Sequence, residues 1–128
     1  MNHLFNLIKC EQDARTFGFN WPNQSMILDQ IIDECREVRQ EIDQGSPHEK
    51  LQEEIGAVLH SIISLCIFSG FSVEETLGKT YAKFSRRLSL LKELAQRQGL
   101  ENLHGQTTGF LLSLWERGEK TEYASDVP

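Results

Sequence analysis

LDQIIDECREVRQEI, residues 28–42, has an apolar side chain at every third or fourth position, and this spacing determines the fold that we expect. In a helix of ~3.6 residues per turn, such positions fall on one narrow stripe that can pack against another helix. We call this stripe the apolar seam, and in this segment it consists of Leu28, Ile31, Cys35, Val38 and Ile42. The pattern predicts an amphipathic helix.

The same rhythm occurs in two later segments. A third predicted helix has Leu51, Ile55, Val58, Ile62 and Leu65 on its seam, and a fourth has Leu77, Tyr81, Phe84, Leu88 and Leu91. Three helices with such seams predict an all-α fold, an antiparallel helical bundle. Because the length fits one domain, we expect residues 1–128 to form a single helical domain.

Capping and breaking residues predict where the helices begin and end. Ser25 is expected to cap the second helix, and Ser72 with Glu75 forms a capping box for the fourth. The tail after residue 120 is expected to fray or to dock loosely. The predicted helices cover approximately residues 2–15, 25–44, 47–70, 72–98 and 110–117.

Composition and charge restrict the class of partner. The net charge of −6 argues against a nucleic-acid polymer, which requires clustered Lys and Arg, but it is compatible with a small phosphorylated ligand. The longest apolar stretch, residues 62–68, is short for a membrane span, and the N-terminal residues do not resemble a signal peptide. Cys35 and Cys66 lie in apolar helical segments, so we expect buried thiols and a cytoplasmic location.

A second stripe lies one residue before each seam, rotated by roughly 100° around the helix, and we call it the polar shoulder. It reads Gln30, Glu34, Glu37, Glu41 on the second helix, Lys50, Glu54, Ala57, Ser61 on the third, and Thr76, Thr80, Lys83, Arg87 on the fourth. Gathered carboxylates repel one another unless a cation lies between them, and oxygen ligands suit Mg²⁺ or Mn²⁺. The alternative interpretations are a solvated face and ion pairs between the acids and the bases.

Five segments occur in an order that is typical of one protein family. They are DECRE (33–37) followed by EEIG (53–56), FGFNWP (17–22), GFSVEETL (70–77), KFSRR (83–87), and LWE (114–116) with the final DVP (126–128). The first resembles the Glu-Glu-x-x-Glu … Glu-x-x-Asp signature of the MazG-type all-α nucleoside triphosphate pyrophosphohydrolases. The others are similar to that family's Gly-Phe-Asp-Trp-Pro, Gly-x-x-x-Glu-Glu-Ala-Leu and Lys-Phe-x-Arg-Arg segments and to its closing helix and tail.

The resemblance implies a dimeric or tetrameric helical bundle that hydrolyses NTPs or dNTPs to the monophosphate and pyrophosphate. It also implies a bound Mg²⁺, with Mn²⁺ as the second choice. The family's metal ligands correspond to Glu34, Glu37 and Glu54 of this chain. Glu34, or its neighbour Asp33, corresponds to the residue that orients the attacking water.

The resemblance assigns substrate contacts as well. Lys83 and Arg87 correspond to residues that hold phosphate oxygens. Trp21 corresponds to a wall of the base or sugar site, with plain packing as the alternative. Phosphoryl transfer depends on charge neutralisation and positioning, which these residue types supply.

The chain departs from the family pattern at two positions. Ala57 stands where the family has the Asp of Glu-x-x-Asp, and Tyr81 stands where it has Asn. A methyl group cannot bind a cation, whereas we expect Tyr81 to be a core tyrosine on the seam. Three alternatives follow: an enzyme in which water, Asp33 or Glu53 replaces the lost ligand; a non-catalytic nucleotide-binding or oligomeric interaction module; or an Ala57 introduced experimentally to disable the site.

Overall fold

The structure, a computed structural model, describes residues 2–125, with side chains described for residues 2–121. It contains α1 (His3–Phe17), α2 (Gln24–Gln44), α3 (His48–Phe68), α4 (Val73–Arg97) and α5 (Thr108–Ser125). No strand occurs between residues 2 and 125, which confirms the all-α class. Contacts divide the chain into two compact units, one ending at Thr76 and one beginning at Leu77. The single domain over residues 1–128 stays a prediction.

Side-chain caps fix the beginnings of α2 and α4. Asn23 caps α2, because its side-chain oxygen accepts a 2.9 Å hydrogen bond from the Met26 N–H. The predicted cap, Ser25, is wrong, since this residue already lies inside the helix. At α4, the Ser72 hydroxyl accepts a 3.2 Å hydrogen bond from the Glu75 N–H, so the predicted start of this helix is confirmed.

Helices α2 and α3 form an antiparallel hairpin, and α1 packs against α3. The chain leaves α2 at Gly45, whose φ of 63° is the left-handed conformation that ends many helices. Cross-hairpin pairs show the direction of the two helices. Glu34 contacts Ser61 far from the turn, and Glu41 contacts Lys50 close to it.

The hairpin buries two residues of its polar shoulder, Glu41 and Ser61, and leaves much of its apolar seam exposed. Glu41, Ser61 and Ser64 are buried, and Ile27 near the start of α2 is fully buried. The expected burial of the seam is therefore wrong at several positions, for example at Ile42, which is 56% exposed. Ser61 tolerates burial because it hydrogen-bonds to Glu34 across the hairpin, and one oxygen of Glu41 pairs with Lys50. The exposed large apolar residues of α2 and α3 are Met26, Leu28, Ile32, Ile42, Ile55, Leu59 and Ile62.

Two further expectations of burial are wrong, one for the cysteines and one for Tyr81. Cys35 is exposed and Cys66 is only partly buried, although both thiols are unpaired as expected. Tyr81 on α4 is 73% exposed and is not a core residue. These side chains lie on helix faces that the neighbouring described helices do not cover.

Helix α3 is long and apolar enough, by length and composition alone, to cross a membrane. Its most apolar window has a mean hydropathy of 1.4, and 11% of that window is buried. The apolar character thus extends beyond residues 62–68. A helix whose apolar surface packs against another subunit has the same composition. The expectation from the sequence that the protein does not contact a membrane therefore stays a prediction.

The second unit brings α4 and α5 together at Trp115. The Phe84 ring lies 5.8 Å from the Trp115 ring between centroids, and the Arg87 guanidinium lies 4.5 Å from the same centroid. Gly118 is buried against Arg87, where an added Cβ would lie 3.5 Å from Arg87 Cγ. Helix α5 extends to Ser125, past the predicted end at residue 117, so the expected fraying is wrong for residues 121–125. The DVP tail lies outside the described residues.

Candidate functional site

Three pairs of side chains cross the hairpin between α2 and α3, and we call them the polar ladder. They are Glu34 with Ser61, Glu37 with Glu54, and Glu41 with Lys50. The ladder exists because the shoulder positions of the two helices repeat at the same helical spacing and meet face to face. Four of its six residues are acidic, so the acids predicted from the sequence do lie between these helices.

Glu34 is held in place by two donors. Its Oε2 accepts a 2.7 Å hydrogen bond from the Ser61 hydroxyl, and its Oε1 accepts a 2.9 Å hydrogen bond from the Gln30 amide. Gln30 lies one turn earlier on α2, whereas Ser61 comes from α3. Donors from both helices therefore orient this carboxylate, which lies at the end of the ladder far from the turn.

The middle pair places two carboxyl groups against each other. A hydrogen bond with Glu37 raises the pKa of Glu54, and desolvation, the charge of Glu37 and the charge of Glu41 raise it further. Two facing carboxyls repel when both are ionised and either share a proton or bind a cation. A divalent cation at this pair would relieve that repulsion.

Glu41 completes the ladder beside the turn and is 8% exposed. Its Oε1 lies 3.4 Å from Lys50 Nζ, whereas its Oε2 is buried without a hydrogen-bond partner among the described residues. A hydrogen bond with Ser46 lowers the pKa of Glu41, desolvation opposes this shift, and the nearby Lys50 charge lowers the pKa further. The side chain is thus ionised, buried and only half satisfied.

Asp33 does not belong to the ladder. Its side chain is 64% exposed, and its Oδ1 accepts a 3.1 Å hydrogen bond from Arg36 on the same helix. One residue of offset rotates a side chain by roughly 100°. The predicted candidates Asp33 and Glu34 therefore have different surroundings, and Glu34 alone reaches across the hairpin.

A cavity of about 580 Å³ lies beside the Glu34 end of the ladder. Its apolar lining comes from α1 and the following loop and consists of Leu7, Cys10, Ala14, Phe19 and Trp21. Its polar lining consists of Glu11, Asn20, Gln30, Glu34, His60, Ser61 and Ser64. An aromatic wall with several hydrogen-bonding groups suits a flat heterocycle such as a nucleobase. Trp21, predicted from the sequence, does line this cavity.

One pair in this cavity had no signal in the sequence. His60 Nε2 lies 2.9 Å from Glu11 Oε2, which joins α3 to α1 across 49 positions of the chain. Only the packing of α1 on α3 brings these residues together. Ser61 and Glu41 stand on the predicted shoulder, so their place on the ladder follows from helical spacing.

Lys83 and Arg87 lie on the part of α4 that belongs to the second unit. The Arg87 guanidinium stacks over Trp115, as described above. The role of both residues towards phosphate stays a prediction.

The ladder fits a divalent cation through the chemistry of its donors. Within residues 2–125, no three acidic, histidine or cysteine side chains stand close enough together to hold a metal as they are placed. Glu37 nevertheless lies near enough to Glu54 to raise its pKa, and carboxylate oxygens are the donors that Mg²⁺ and Mn²⁺ prefer. Because Ala57 offers no donor, the α3 side supplies one carboxylate, Glu54, to this region.

Comparison with known proteins adds a family to this geometry. Residues 23–89 match the MazG nucleotide pyrophosphohydrolase domain. The nucleoside triphosphate pyrophosphohydrolase/pyrophosphatase MazG of Thermotoga maritima is 32% identical over 92 residues, 72% of this chain and 34% of that protein. A nucleoside triphosphate pyrophosphohydrolase of Escherichia coli K12 is 27% identical over 120 residues, 93% of this chain and 45% of that protein. The chain thus spans less than half the length of these relatives.

Proposed function

Because the chain belongs to the MazG nucleotide pyrophosphohydrolase family, we propose that it hydrolyses a nucleoside triphosphate or deoxynucleoside triphosphate to the monophosphate and pyrophosphate, with Mg²⁺ or Mn²⁺ as cofactor. The observation that carries the proposal is that Glu34, Glu37 and Glu54 of the matched segment, residues 23–89, face across the α2–α3 hairpin, where Glu34 bonds to Ser61 and Glu37 raises the pKa of Glu54. Of these three acids, Glu34 lines the cavity of about 580 Å³.

Glu34, Glu37 and Glu54 are the proposed metal ligands. When bound there, the cation supplies charge neutralisation for the triphosphate and an activated water. Glu34 is the better candidate than Asp33 for orienting that water, because Glu34 borders the cavity while Asp33 is 64% exposed and paired with Arg36. Lys83 and Arg87 are proposed to bind the phosphate oxygens, and Trp21 to contact the base or sugar.

An assay of pyrophosphate release tests this function. The chain is incubated with a panel of NTPs and dNTPs in Mg²⁺ and in Mn²⁺. We expect Glu54→Gln and Glu37→Gln to lower kcat/KM by about 100-fold or more, because each removes a charged ligand. Glu49→Gln, an exposed change on the same helix, serves as the matched control and should retain activity. Release no faster than in the Glu54→Gln variant would rule out hydrolysis.

A non-catalytic nucleotide-binding module is the second candidate, and Ala57 favours it. The loss of one carboxylate weakens the binding of a free metal ion more than the binding of a metal ion that is already coordinated by the phosphates of the substrate. Such a module would show a rise in Tm with Mg²⁺ and a triphosphate but no pyrophosphate release. Turnover that disappears in Glu54→Gln would exclude this candidate.

We also propose that the chain is a homodimer or homotetramer in the cytoplasm. The support is the exposed apolar surface of α2 and α3, which includes Leu28, Leu59 and Ile62, together with three unpaired thiols. Exposed apolar surface of this extent commonly marks a binding surface. Light scattering that gives a monomer at about 10 µM would contradict the oligomer. Recovery of the chain in the membrane fraction of lysed cells would contradict the location.

A further inference from the structure

We propose that Glu11 on α1, positioned by His60 on α3, contacts the base of the substrate and selects guanine nucleotides. The inference rests on the proposed hydrolysis of a nucleoside triphosphate, and it names the class of that substrate. Both residues lie outside the five segments that resemble the family pattern, and neither belongs to the polar ladder.

The charge of the cavity determines which part of a nucleotide it suits. Among the described residues, its lining contains two carboxylates, those of Glu11 and Glu34, and neither Lys nor Arg. Carboxylates repel phosphate groups unless a cation lies between them. Because Glu34 is a proposed metal ligand, the phosphates are expected on its side of the cavity. Glu11 is left to the uncharged part of the nucleotide.

Helix α3 turns two consecutive residues towards two different helices at this cavity. Ser61 donates its hydrogen bond to Glu34 on α2, whereas His60 Nε2 lies 2.9 Å from Glu11 Oε2 on α1. The step of one residue rotates the side chain by roughly 100° around α3. The two carboxylates therefore border one cavity from different helices, so that one nucleotide can contact both.

Glu11 is held in place and still has acceptor sites to spare. Its side chain is 11% exposed, and His60 is its only hydrogen-bond partner among the described residues. A carboxylate has two oxygens with about four lone-pair sites, so the contact with one imidazole nitrogen leaves Oε1 open to a ligand. His60 thus orients this carboxylate without saturating it.

The donor pattern of the bases identifies the one that fits. An ionised carboxylate accepts hydrogen bonds and donates none. The Watson–Crick edge of guanine carries two adjacent donors, N1–H and the N2 amino group. Adenine and cytosine have a ring-nitrogen acceptor beside their amino group, and uracil and thymine have a carbonyl on each side of their single N–H. Guanine is therefore the base that one carboxylate binds through two hydrogen bonds.

An aromatic face for such a base is present in the same lining. Trp21 lies in the loop after α1 and borders the cavity together with Glu11. Proteins commonly stack an unpaired base on an aromatic side chain and bind its Watson–Crick edge with polar groups. The indole supplies affinity for any base, and the carboxylate supplies the selection.

A purely structural role for the pair is the competing explanation. No residue of α1 is buried, and the Arg15 guanidinium lies 5.3 Å from the centroid of the Phe68 ring on α3. The contact between Glu11 and His60 would then serve only to hold α1 on α3. Loss of such a tie affects all nucleotides alike, whereas loss of a base contact affects guanine in particular.

Titration calorimetry with nucleoside monophosphates and the full chain, in Mg²⁺, tests the proposal without hydrolysis. The matched ligands are dGMP and dIMP, which differ only in the N2 amino group. We expect the parent to bind dGMP about tenfold or more tightly than dIMP. Glu11→Gln should lower this ratio about fivefold or more, because its amide presents donors to a donor edge. Asp13→Asn, an exposed change on the same helix, is the matched control and should keep the parental ratio.

The role of His60 has a test of its own. His60→Gln retains an N–H that can donate to Glu11 and should keep the parental ratio of dGMP to dIMP affinity. His60→Phe retains a ring but no donor and should lower that ratio. A role in holding α1 on α3 alone would weaken both ligands equally in His60→Phe and leave the ratio unchanged.

Three outcomes would overturn the assignment. They are a parent chain that binds dGMP no more tightly than dIMP, absence of binding included; a folded Glu11→Gln variant with the parental ratio; and equal ratios in His60→Phe and His60→Gln. The His60 variants decide the matter if Glu11→Gln does not fold. Selective dGMP binding without pyrophosphate release from dGTP would refute the proposed hydrolysis and leave the base assignment standing. Equally fast release from dGTP and dITP would do the reverse.

Discussion

The Ser61 hydroxyl donates a 2.7 Å hydrogen bond to Glu34 Oε2, and this bond joins α3 to α2 at the edge of the cavity. Ser61 is buried, so water does not readily replace it as a donor. The bond therefore fixes the orientation of a proposed metal ligand and also holds the hairpin together. These two roles can be measured separately.

Ser61→Ala should lower the free energy of unfolding by about 1–2 kcal/mol, because a partly buried carboxylate loses its donor. Urea denaturation measures this change. Ser113→Ala on α5, an exposed position, is the control for the higher helix propensity of alanine. If both substitutions have the same effect on stability, the Ser61 bond does not stabilise the hairpin.

Asn23→Ala should cost about 1 kcal/mol of stability, since the Met26 N–H loses its acceptor at the start of α2. Ser25→Ala should be neutral or slightly stabilising, because Ser25 lies within the helix. Thermal and chemical denaturation compare the two variants. Equal losses of stability in the two variants, or a larger loss in Ser25→Ala, would contradict the assignment of Asn23 as the cap of α2.

Glu54→Gln should stabilise the metal-free protein at neutral pH. The raised pKa of Glu54 means that its protonated form favours the folded state, so this stabilisation is complete below the ordinary value of 4.5 and is lost as the pH rises through the raised pKa. Glutamine imitates the protonated form at every pH. The gain over the parent should therefore be larger at about pH 7.5 than at about pH 4.

Denaturation in EDTA at both pH values measures this gain. Glu53→Gln, at an exposed neighbouring position, is the control and should show no such pH dependence. A gain of the same size at both pH values would mean that the carboxyl pair does not share a proton. Added Mn²⁺ should reduce the gain, because the variant lacks one of the three proposed carboxylate ligands.

Ala57→Asp should raise the affinity for Mn²⁺ and kcat/KM by about tenfold, because it adds a fourth carboxylate opposite α2. Ala57→Asn has nearly the same size without the charge and is the matched control. Calorimetry and pyrophosphate release measure the two quantities. An increase that is equal in both variants would show that charge at position 57 is irrelevant.

Leu59→Glu should convert the proposed oligomer into a monomer, because it places a charge in the exposed apolar surface of α3. Leu112→Glu on α5 is the control, since Leu112 is 58% exposed and Leu59 is 59% exposed. Light scattering at about 10 µM distinguishes the species. If both variants keep the parental mass, or both lose it, the interface does not lie on α3.

The helices and the antiparallel hairpin could be predicted, because apolar periodicity and breakers are local properties of the sequence. The face that each helix buries could not be predicted from the sequence. Periodicity tells which residues share a stripe, but the stripe that meets a neighbour depends on tertiary packing. Ile42 and Glu41 show this, since the apolar residue is 56% exposed and the acid is buried.

The acids of the ladder were predictable for a related reason. Glu34 and Glu37 share one face of α2 by helical spacing, and Glu54 occupies the equivalent shoulder position on α3, which the packing of the two helices turns towards them. The contact of His60 with Glu11 was not predictable, because it depends on how α1 lies on α3. Nor could spacing show that Asp33 would pair with Arg36 while its neighbour Glu34 crosses to Ser61.

The turn at Gly45 has a kinetic consequence. All the carboxylates of the ladder come from two helices that are consecutive in the chain, so a short loop closure is sufficient to bring them together. Contacts between near neighbours in sequence form early in folding. The mutual repulsion of these carboxylates should therefore slow refolding, and Mn²⁺ should accelerate it, which stopped-flow measurements would detect as a change in the folding rate more than in the unfolding rate.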